Sequence, residues 1–379
     1  MAEHSTGVPV RCALMIGALG SGGAEHQLMR LALALREYGY AVEVWCYTSS
    51  SRYDVELRNR GVCVRTPASG DGATKRTRVR CWIKEFRPHI VHCFMKRASS
   101  LGVIARGLST SPAVIGSDLS TATYGQRGFA LFASLVLFRF CSVVTTQTQL
   151  NRSSLEKLAP WLRGHVRVIR NGLDLTRFFP RPGRRKPGPL RFVCVGSVYS
   201  VKNPFVVVEA AAQLHRDGLS FQVDWYGRLG LNGDHEPSED YFLCQRLIER
   251  EGLKEKFRFH GESNNILKAY HDADVILHAS VQEGFPNAVA EGMACGLPVV
   301  VSRVSDLPLV IQVARNGFVF DERNPDDLAR AMRWILDTDE ESLGTMGERS
   351  RELATDWFAL DRFVEEYVGL YGELLGRPV

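Results

Sequence analysis

Two glutamates, Glu283 and Glu291, lie on either side of the start of a predicted helix. Pro286 fits the first position of that helix, and Gly296 fits the position just past its end. Glu283 then belongs to the loop after a buried strand, and Glu291 lies about one and a half turns into the helix. Because the first N–H groups of a helix attract anions, this arrangement suits a nucleoside diphosphate-sugar. Its phosphates would lie at the helix N-terminus and its hydroxyls on the carboxylates, whereas glutamates that serve only the helix dipole are the alternative.

A lysine forms the second candidate group, at the end of the segment Gly196–Lys202. It follows a predicted strand and stands just before a helix that begins at Pro204, which places it well to neutralise a diphosphate. A cation and a helix N-terminus can together stabilise the negative charge that grows on a departing phosphate, in place of a metal. A solvated lysine without a ligand is the alternative.

A glycine-rich turn, Gly17–Glu25, follows the first predicted strand. Its glycines Gly20, Gly22 and Gly23 let backbone N–H groups approach an anion. The turn is not the dinucleotide fingerprint, because the third glycine of G-x-G-x-x-G would fall at Glu25. An NAD-dependent oxidoreductase is therefore disfavoured, and the choice between a ligand site and simple turn geometry stays open.

The elements that must position these groups are short apolar strands that alternate with helices. This alternation predicts an α/β protein with parallel strands and crossover helices, in which ligands bind beyond the carboxyl ends of the strands. The segment 176–189, rich in proline, glycine and arginine, predicts a linker between two Rossmann-like domains. The predicted strands are Cys12–Ile16, Val42–Tyr47, Ile90–Phe94, Val114–Ser117 and Ser142–Thr146 before the linker, and Leu190–Val195, Phe221–Tyr226, Phe257–His260, Val275–Ala279 and Pro298–Ser302 after it.

The composition excludes several classes of protein. With 379 residues and 45% hydrophobic residues the chain is neither disordered nor a polytopic membrane protein, and two domains are expected. Its 47 Lys and Arg against 42 Asp and Glu give a net charge of +5, too small to predict a nucleic-acid partner. The nine cysteines form no C-x-x-C pair. No secretory signal opens the chain, so a cytoplasmic location is expected.

The longest apolar stretch is Phe129–Val144, interrupted by Arg139. It is shorter than the roughly 20 residues of a membrane-spanning helix, and a buried helix that continues into a buried strand is the prediction. A peripheral contact at the inner face of the membrane is the alternative, which a nearby basic cluster favours. That cluster consists of Lys75, Arg76, Arg78 and Arg80.

Together these segments resemble the retaining glycosyltransferases of the family 4 type, the glycosyl transferases group 1. The resemblance implies the GT-B fold, with two Rossmann-like domains that face each other across a cleft. It implies an acceptor-side domain at 1–175, a linker at 176–189, a nucleotide-sugar-binding domain at 190–355, and a C-terminal helix at 356–379 that returns to the first domain. The motifs that carry it are Gly22-Gly-Ala-Glu25, Asn171-Gly172-Leu-Asp174, Val195-Gly196 with Lys202-Asn203, Glu283-Gly-Phe-Pro286 with Glu291, and Ala294-Cys-Gly296-Leu-Pro298.

The resemblance also implies roles for individual residues. Lys202 and Glu283 would be catalytic, Lys202 holding the leaving diphosphate and Glu283 contacting donor-sugar hydroxyls, while Glu291 would bind the ribose. No metal or cofactor is expected, and Asp272-Ala-Asp274 is interpreted as structural because it lies where a helix gives way to a buried strand. The other expected donor-binding residues are Gly20, Gly22, Gly23, Gly196, Gly284, Phe285, Pro286, Asn287 and Ala288.

The chain departs from the family pattern at three places. The glutamate that the family often has after the Pro-Val-Val strand, near the donor site, is missing, and Asp306–Leu309 stand in its region. Ser197 stands where the family commonly has a phosphate-binding arginine, with Arg228 or Arg303 as substitutes. Asp118, after Ser117, stands where many members have a histidine near the cleft. The candidate acceptor or cleft residues are Asp118, His26 and His92.

The expected function is that of a retaining hexosyltransferase. It would move a sugar from a nucleotide-sugar, UDP-sugar being favoured over GDP-sugar, to a glycan or lipid-linked acceptor in cell-surface polysaccharide synthesis. Two alternatives stay open: a nucleotide-sugar epimerase on the same fold, and a catalytically degenerate partner subunit that binds a nucleotide or glycan. Only the epimerase would release free nucleotide without needing an acceptor.

Overall fold

A computed structural model describes residues 9–20, 22–48, 54–68, 72–121, 128–183, 187–230 and 236–376. The chain divides into two compact units, one formed by Met1–Gly172 with Leu360–Val379, the other by Leu173–Ala359. Each unit has its own parallel sheet and apolar core. Among the described residues, no helix is both long and apolar enough to cross a membrane.

The sheet of the first unit has seven parallel strands in the order β3-β2-β1-β4-β5-β6-β7. The strands are β1 Arg11–Ile16, β2 Ala41–Cys46, β3 Cys63–Arg65, β4 Ile90–Phe94, β5 Ala113–Asp118, β6 Val143–Thr146 and β7 Val166–Val168. The helices between them are α1 Gly23–Glu37, α2 Asp54–Asn59, α3 Lys75–Phe86, α4 Lys96–Arg106, α5 Gly128–Phe138 and α6 Gln149–Leu158, followed by a 3-10 turn, Pro160–Leu162. Strands buried on both faces read as continuous apolar runs, which is why the sequence located the central ones.

The second unit has six parallel strands in the order β10-β9-β8-β11-β12-β13. They are β8 Leu190–Val195, β9 Phe221–Tyr226, β10 Phe257–Gly261, β11 Val275–His278, β12 Val299–Ser302 and β13 Gly317–Phe320. Its helices are α7 Pro204–Arg216, α8 Glu239–Arg250, α9 Ile266–Asp272, α10 Asn287–Ala294, α11 Leu307–Ala314, α12 Pro325–Leu336 and α13 Glu340–Phe358. The last helix, α14 Leu360–Leu375, belongs to the first unit.

The division between the units lies at Gly172, three residues before the predicted end of the first domain. The predicted linker 176–189 belongs to the second unit, apart from residues 184–186, which lie outside the described residues. Phe178, only 2% exposed, packs edge-on against Tyr270 of α9 with the ring centroids 6.1 Å apart. This buried aromatic contact holds the start of the segment on the second unit, although its composition is that of a linker.

Helix α5 differs from the buried helix that its composition predicts. Only Ser134, Leu135 and Phe138 are buried, whereas the side chains of Phe129 and Phe132 are 83% and 53% exposed. Strand β6 follows and is buried throughout, as predicted. The apolar sequence therefore predicted the position of the helix, but it did not indicate which face of the helix packs against the rest of the unit.

His92, a sequence candidate for an acceptor contact, lies in the interior of the first unit. Its Nδ1 is 2.7 Å from the hydroxyl of Tyr371 on α14, and its Nε2 is 2.6 Å from Oγ of Ser117. Burial lowers the pKa of His92 to about 3. Both ring nitrogens are occupied by protein groups, so we assign this histidine a structural role.

The buried His92 predicts a defined pH dependence of stability. The pKa of His92 in the folded state lies below its unfolded value of 6.5. The contribution of the neutral histidine to the free energy of unfolding is therefore complete above pH 6.5 and is lost as the pH falls towards 3. We measure the free energy of unfolding in urea at pH 7.5 and at pH 5. Between these two pH values we expect it to fall by about 2 kcal/mol more in wild type than in His92→Gln. Equal losses in the two proteins would show that His92 is protonated in the folded state.

Candidate functional site

The loop between β11 and α10 places Glu283 at the carboxyl edge of the second sheet, as predicted. Pro286 lies one position earlier than expected, at the N-cap of α10 instead of inside it. Gly296 follows the C-cap residue with φ of +75°, a conformation in which glycine costs least. The helix therefore directs its N-terminus to the loop that carries Glu283.

Glu283 lies between two nitrogen-bearing side chains of the same unit. Its Oε1 accepts a hydrogen bond from Nζ of Lys202 at 2.5 Å. The same oxygen lies 3.3 Å from Nε2 of His278, the last residue of β11. His278 is 4% exposed, and the Glu283 and Lys202 side chains are 15% and 20% exposed. The structure thus joins the two predicted catalytic residues directly and adds a buried histidine.

The electrostatics of this cluster keep Glu283 ionised. Burial alone would raise the pKa of its carboxyl, but the Lys202 ammonium and the His278 imidazole together hold it well below the usual range. Burial lowers the pKa of His278, against the opposing effect of Glu283. We therefore describe the cluster at neutral pH as an ammonium–carboxylate pair beside a neutral imidazole.

Local backbone geometry brings Lys202 to the carboxylate. A 3-10 turn, Ser200–Lys202, ends at Asn203, which adopts the left-handed conformation with φ of +55° immediately before Pro204 starts α7. The amide of Asn203 donates to the carbonyl of Glu322 at 2.7 Å. The N–H of Val281 donates to the carbonyl of Val201 at 2.9 Å, which ties the lysine turn to the glutamate loop.

Gly196 leaves room for the stem of Lys202. A Cβ at this position would lie 3.3 Å from both Cδ and Cε of the lysine, tighter than an ordinary contact. The carbonyl of Gly196 accepts a hydrogen bond from Nε1 of Trp225 at 2.7 Å. A Cβ on Gly227 would come within 2.1 Å of the same carbonyl oxygen. Two glycines therefore allow the lysine to lie against the end of β8.

Glu291, on the helix that begins at this loop, has a partner that the sequence did not indicate. The hydroxyl of Tyr270 donates to its Oε2 at 2.9 Å. Tyr270 is fully buried, and burial raises the pKa of its hydroxyl well above the usual range, with Glu291 adding to the effect. The tyrosine remains a donor at all working pH values and orients the carboxylate.

The other expected donor-binding residues of the second unit are of two kinds: some offer main-chain groups at the start of α10, and one has its side chain in the apolar core. The carbonyl of Gly284 accepts a hydrogen bond from Oγ of Ser305. The ring of Phe285 is 6% exposed and packs against Phe358 at 4.8 Å, so its side chain belongs to the core. Asn287 and Ala288 are half-buried in the first turn of α10. The structure places their main chains at the helix start, as the sequence predicts.

The other glycine candidates belong to the first unit. Gly20 lies in the turn after β1, Gly22 is the N-cap of α1, and Gly23 begins that helix. Ser21, inside the same turn, lies outside the described residues. His26 is half-buried in the first turn of α1, where its N–H donates to the carbonyl of Gly22 at 3.2 Å.

Asp118 ends β5 and is fully buried beside a lysine that the sequence analysis missed. Nζ of Lys96 lies 2.8 Å from Oδ1 of Asp118, while Oδ2 has no hydrogen-bond partner among the described residues. Burial raises the pKa of Asp118, against the opposing effect of Lys96. Adjacent strands β4 and β5 end side by side, so the position of Lys96 just after β4 was the available signal.

Two further residues named in the sequence analysis are Arg228, a possible substitute phosphate-binding cation, and Asp274, which was interpreted as structural. Arg228 lies beside the lysine turn, because its carbonyl accepts from the N–H of Val198 at 2.7 Å. Its Nε is 3.9 Å from Oε1 of Glu262. Asp274 accepts from the N–H of Arg191 at 2.9 Å and lies 3.4 Å from Nη1 of Arg181. These contacts give Asp274 a structural role in joining β8 to the start of β11.

Comparison with known proteins agrees with this architecture. The family model "Glycosyl transferases group 1" matches residues 176–353, and "Glycosyltransferase Family 4" matches residues 21–177. WcaL of Escherichia coli K12, named as a colanic acid biosynthesis glycosyltransferase, is 29% identical over 321 residues, which are 81% of this chain and 73% of WcaL.

A second curated relative and a solved structure extend the comparison. The UDP-Gal:alpha-D-GlcNAc-diphosphoundecaprenol alpha-1,3-galactosyltransferase of Escherichia coli is 26% identical over 223 residues, 55% of this chain and 54% of that protein. HepE of Anabaena, solved with UDP and glucose, superposes with a TM-score of 0.81 at 18% identity, covering 95% of this chain and 99% of that one. The two family matches, with the two parallel Rossmann-like sheets, show that this chain belongs to the group 1, family 4-type glycosyltransferases, enzymes of the GT-B fold.

Proposed function

We propose that the chain transfers a hexose from a UDP-sugar to a glycan or lipid-linked acceptor in cell-surface polysaccharide synthesis, with retention of configuration and without a metal ion. The observation that carries the proposal is the Lys202–Glu283 pair at the N-terminus of α10, with Glu291 on the same helix. The names of two relatives favour this donor and acceptor, since one uses UDP-galactose and a diphosphoundecaprenol-linked sugar and the other was solved with UDP.

The proposal gives each side chain a distinct task. As the bond between the anomeric carbon and the diphosphate breaks, its electron pair goes to the phosphate oxygen. The oxygen of the acceptor hydroxyl forms the new bond to the same carbon, and the hydroxyl proton passes to the departing diphosphate. Lys202 has three N–H donors, so it can hold that oxygen while it keeps Glu283. The N-terminus of α10 adds positive potential. Glu283 accepts hydrogen bonds from the hydroxyls of the donor sugar. Glu291, which Tyr270 orients, accepts hydrogen bonds from the ribose hydroxyls.

For the acceptor we assign a role to Asp118. Its Oδ2 is buried without a hydrogen-bond partner among the described residues, and Lys96 fixes the other oxygen. A buried acceptor atom without a donor is costly, and a hydroxyl of the incoming sugar would satisfy it. A cytoplasmic enzyme at the inner face of the membrane has access both to UDP-sugars and to lipid-linked acceptors.

Calorimetric titration with UDP, GDP and ADP, each with and without magnesium, tests the donor assignment. We expect UDP to bind more tightly than GDP or ADP and with the same affinity when magnesium is chelated, because Lys202 and α10 supply the positive charge. Tighter binding of GDP would transfer the proposal to GDP-sugars. Absence of binding by all three nucleotides would favour a degenerate partner subunit.

Glu291→Ala provides the matched variant for this titration. Removing the carboxylate should weaken UDP binding about tenfold or more, because two ribose hydroxyls lose an ionised acceptor. Glu239→Ala, at the start of α8, is the control and should bind UDP as wild type does. Release of free UDP together with an epimerised sugar, without an acceptor, would instead identify an epimerase.

A further inference from the structure

A buried histidine, His278, lies beside Glu283 and has no part in the reaction proposed above. It is the last residue of β11, one of the two central strands of the second sheet. That strand pairs with β8 on one side and with β12 on the other, where His278 is in register with Val301. A side chain on such a strand is held more precisely than one on a loop.

Two nitrogen atoms approach the same oxygen of Glu283. Nζ of Lys202 lies 2.5 Å from Oε1, and Nε2 of His278 lies 3.3 Å from it. The second oxygen, Oε2, makes no hydrogen bond with any residue that the structure describes. The protein thus holds one oxygen of the carboxylate and leaves the other for a ligand.

No second acceptor competes for Nε2 of His278. The atom is buried and makes no well-formed hydrogen bond within the described part of the chain. Ser280, two residues further on, does not engage it, because its own hydroxyl is also buried without a partner. A buried polar atom without a partner is costly, and 3.3 Å is only slightly beyond the usual length of an N–H···O bond. Oε1 of Glu283 is therefore the acceptor that the structure offers to this ring.

The charge state of His278 suits a donor to a carboxylate. Burial lowers the pKa of His278, against the opposing effect of Glu283, so the ring is neutral at neutral pH. A neutral imidazole carries one N–H, and the hydrogen bond that it makes determines which nitrogen is protonated. With Oε1 of Glu283 as the acceptor, that nitrogen is Nε2.

The function proposed above creates a need for this contact. Lys202 has to divide its donors between Glu283 and the leaving diphosphate, and its ammonium is carried by a flexible four-carbon stem. A neutral imidazole on a central strand is not drawn to the phosphate charge. It can therefore keep Glu283 in place while the lysine serves the diphosphate.

We propose that His278 is a positioning residue for sugar transfer: its Nε2–H holds Oε1 of Glu283, and this contact directs Oε2 to a hydroxyl of the donor sugar. His278 itself touches neither donor nor acceptor and acts only through Glu283. The inference rests on the function proposed above, since it assumes that Glu283 binds the donor sugar.

Calorimetry with UDP and with intact UDP-sugars tests this role. The probes are UDP, UDP-glucose and UDP-galactose, and the UDP-sugar that wild type binds more tightly is compared with UDP. In His278→Met we expect the affinity for that UDP-sugar to fall about tenfold relative to the affinity for UDP, which should not change. His278→Gln keeps an N–H donor near the position of Nε2, so it should restore most of the loss.

His271→Met is the matched control. His271 is a histidine of the same unit whose Nε2 lies 2.8 Å from the carbonyl of Phe179. It lies near the end of α9, before β11 begins, whereas the site lies beyond the other end of that strand. The same substitution there should leave both affinities unchanged.

Nitrogen-15 NMR of the histidine rings tests the contact without any ligand. At pH 7.5 we expect a neutral ring protonated at Nε2 whose signals are absent from His278→Gln. These signals should shift in Glu283→Gln, because the acceptor of the Nε2–H changes from a carboxylate to a carboxamide. Protonation at Nδ1, or signals that are insensitive to Glu283→Gln, would overturn the proposal.

The binding data can overturn it independently. Wild-type affinity of His278→Met for the UDP-sugar would do so, and so would equal losses in His278→Met and His278→Gln. A parallel loss of UDP affinity in His278→Met would show that the histidine supports the phosphate site or the fold instead of Glu283. Absence of UDP binding by wild type would refute the proposed donor site itself, whereas each of the other results refutes only the role of His278.

Discussion

Replacement of Lys202 by alanine should lower kcat for sugar transfer by about two to three orders of magnitude. The ammonium is positioned at 2.5 Å from Glu283 beside the N-terminus of α10, where the charge of the leaving diphosphate would develop. Its removal withdraws a preorganised cation from a largely buried site, in which such an interaction is stronger than in water. Steady-state kinetics with the donor identified by calorimetry measure the effect.

Two controls separate this effect from damage to the fold. Lys254→Ala removes a lysine of the same unit that is 66% exposed and pairs with Glu249 at 2.7 Å, and it should leave kcat unchanged. The thermal unfolding midpoint of Lys202→Ala reports the cost of leaving Glu283 without its cation. Wild-type kcat in Lys202→Ala would contradict the assignment of this lysine to the diphosphate.

The central strands and the helix of the site were predictable because their signals are local. Pro286 and Gly296 delimit α10 to within one residue, and β8, β9 and β4 have the predicted bounds. The edge strands β3, β7 and β13 were not predicted, since none of them is buried throughout and none therefore forms a continuous apolar run, unlike the equally short β6, β11 and β12. The failed expectation of a buried α5 has a different cause, because apolar composition does not specify what covers a helix.

The contacts inside the site were less accessible from the sequence than its residues. Lys202 and Glu283 were both identified, but their direct pairing depends on two loops joined by the bond between Val281 and Val201. His278 and Tyr270 were missed, because each meets its glutamate only after β11 and α9 have packed beside α10. Sequence reasoning therefore located the functional groups along the chain, whereas their partners required the tertiary structure.

Glu283→Gln should lower donor turnover without weakening nucleotide binding. The neutral carboxamide is a weaker acceptor of hydrogen bonds from the donor-sugar hydroxyls than the ionised carboxylate, so kcat should fall by about two orders of magnitude. The Lys202 ammonium at the same time loses its counterion and becomes fully available to a diphosphate, so bare UDP should bind as tightly as to wild type or more tightly. Kinetics and UDP calorimetry on the same preparation measure the two effects.

Lower turnover with undiminished UDP binding follows from the Lys202–Glu283 pairing, and it distinguishes this specific effect from general damage to the fold. Glu255→Gln, at a carboxylate 89% exposed and 3.2 Å from Arg258, is the matched control and should change neither quantity. If Glu283→Gln weakened UDP binding as much as turnover, the carboxylate would serve mainly to hold Lys202 in place. In a double-mutant cycle the losses for Lys202→Ala and Glu283→Gln should then be strongly non-additive, because each single change would already disable the other partner. If instead the lysine binds the phosphate of the donor and the glutamate binds its hydroxyls, the two side chains have separate partners. The two losses in transition-state stabilisation should then be nearly additive.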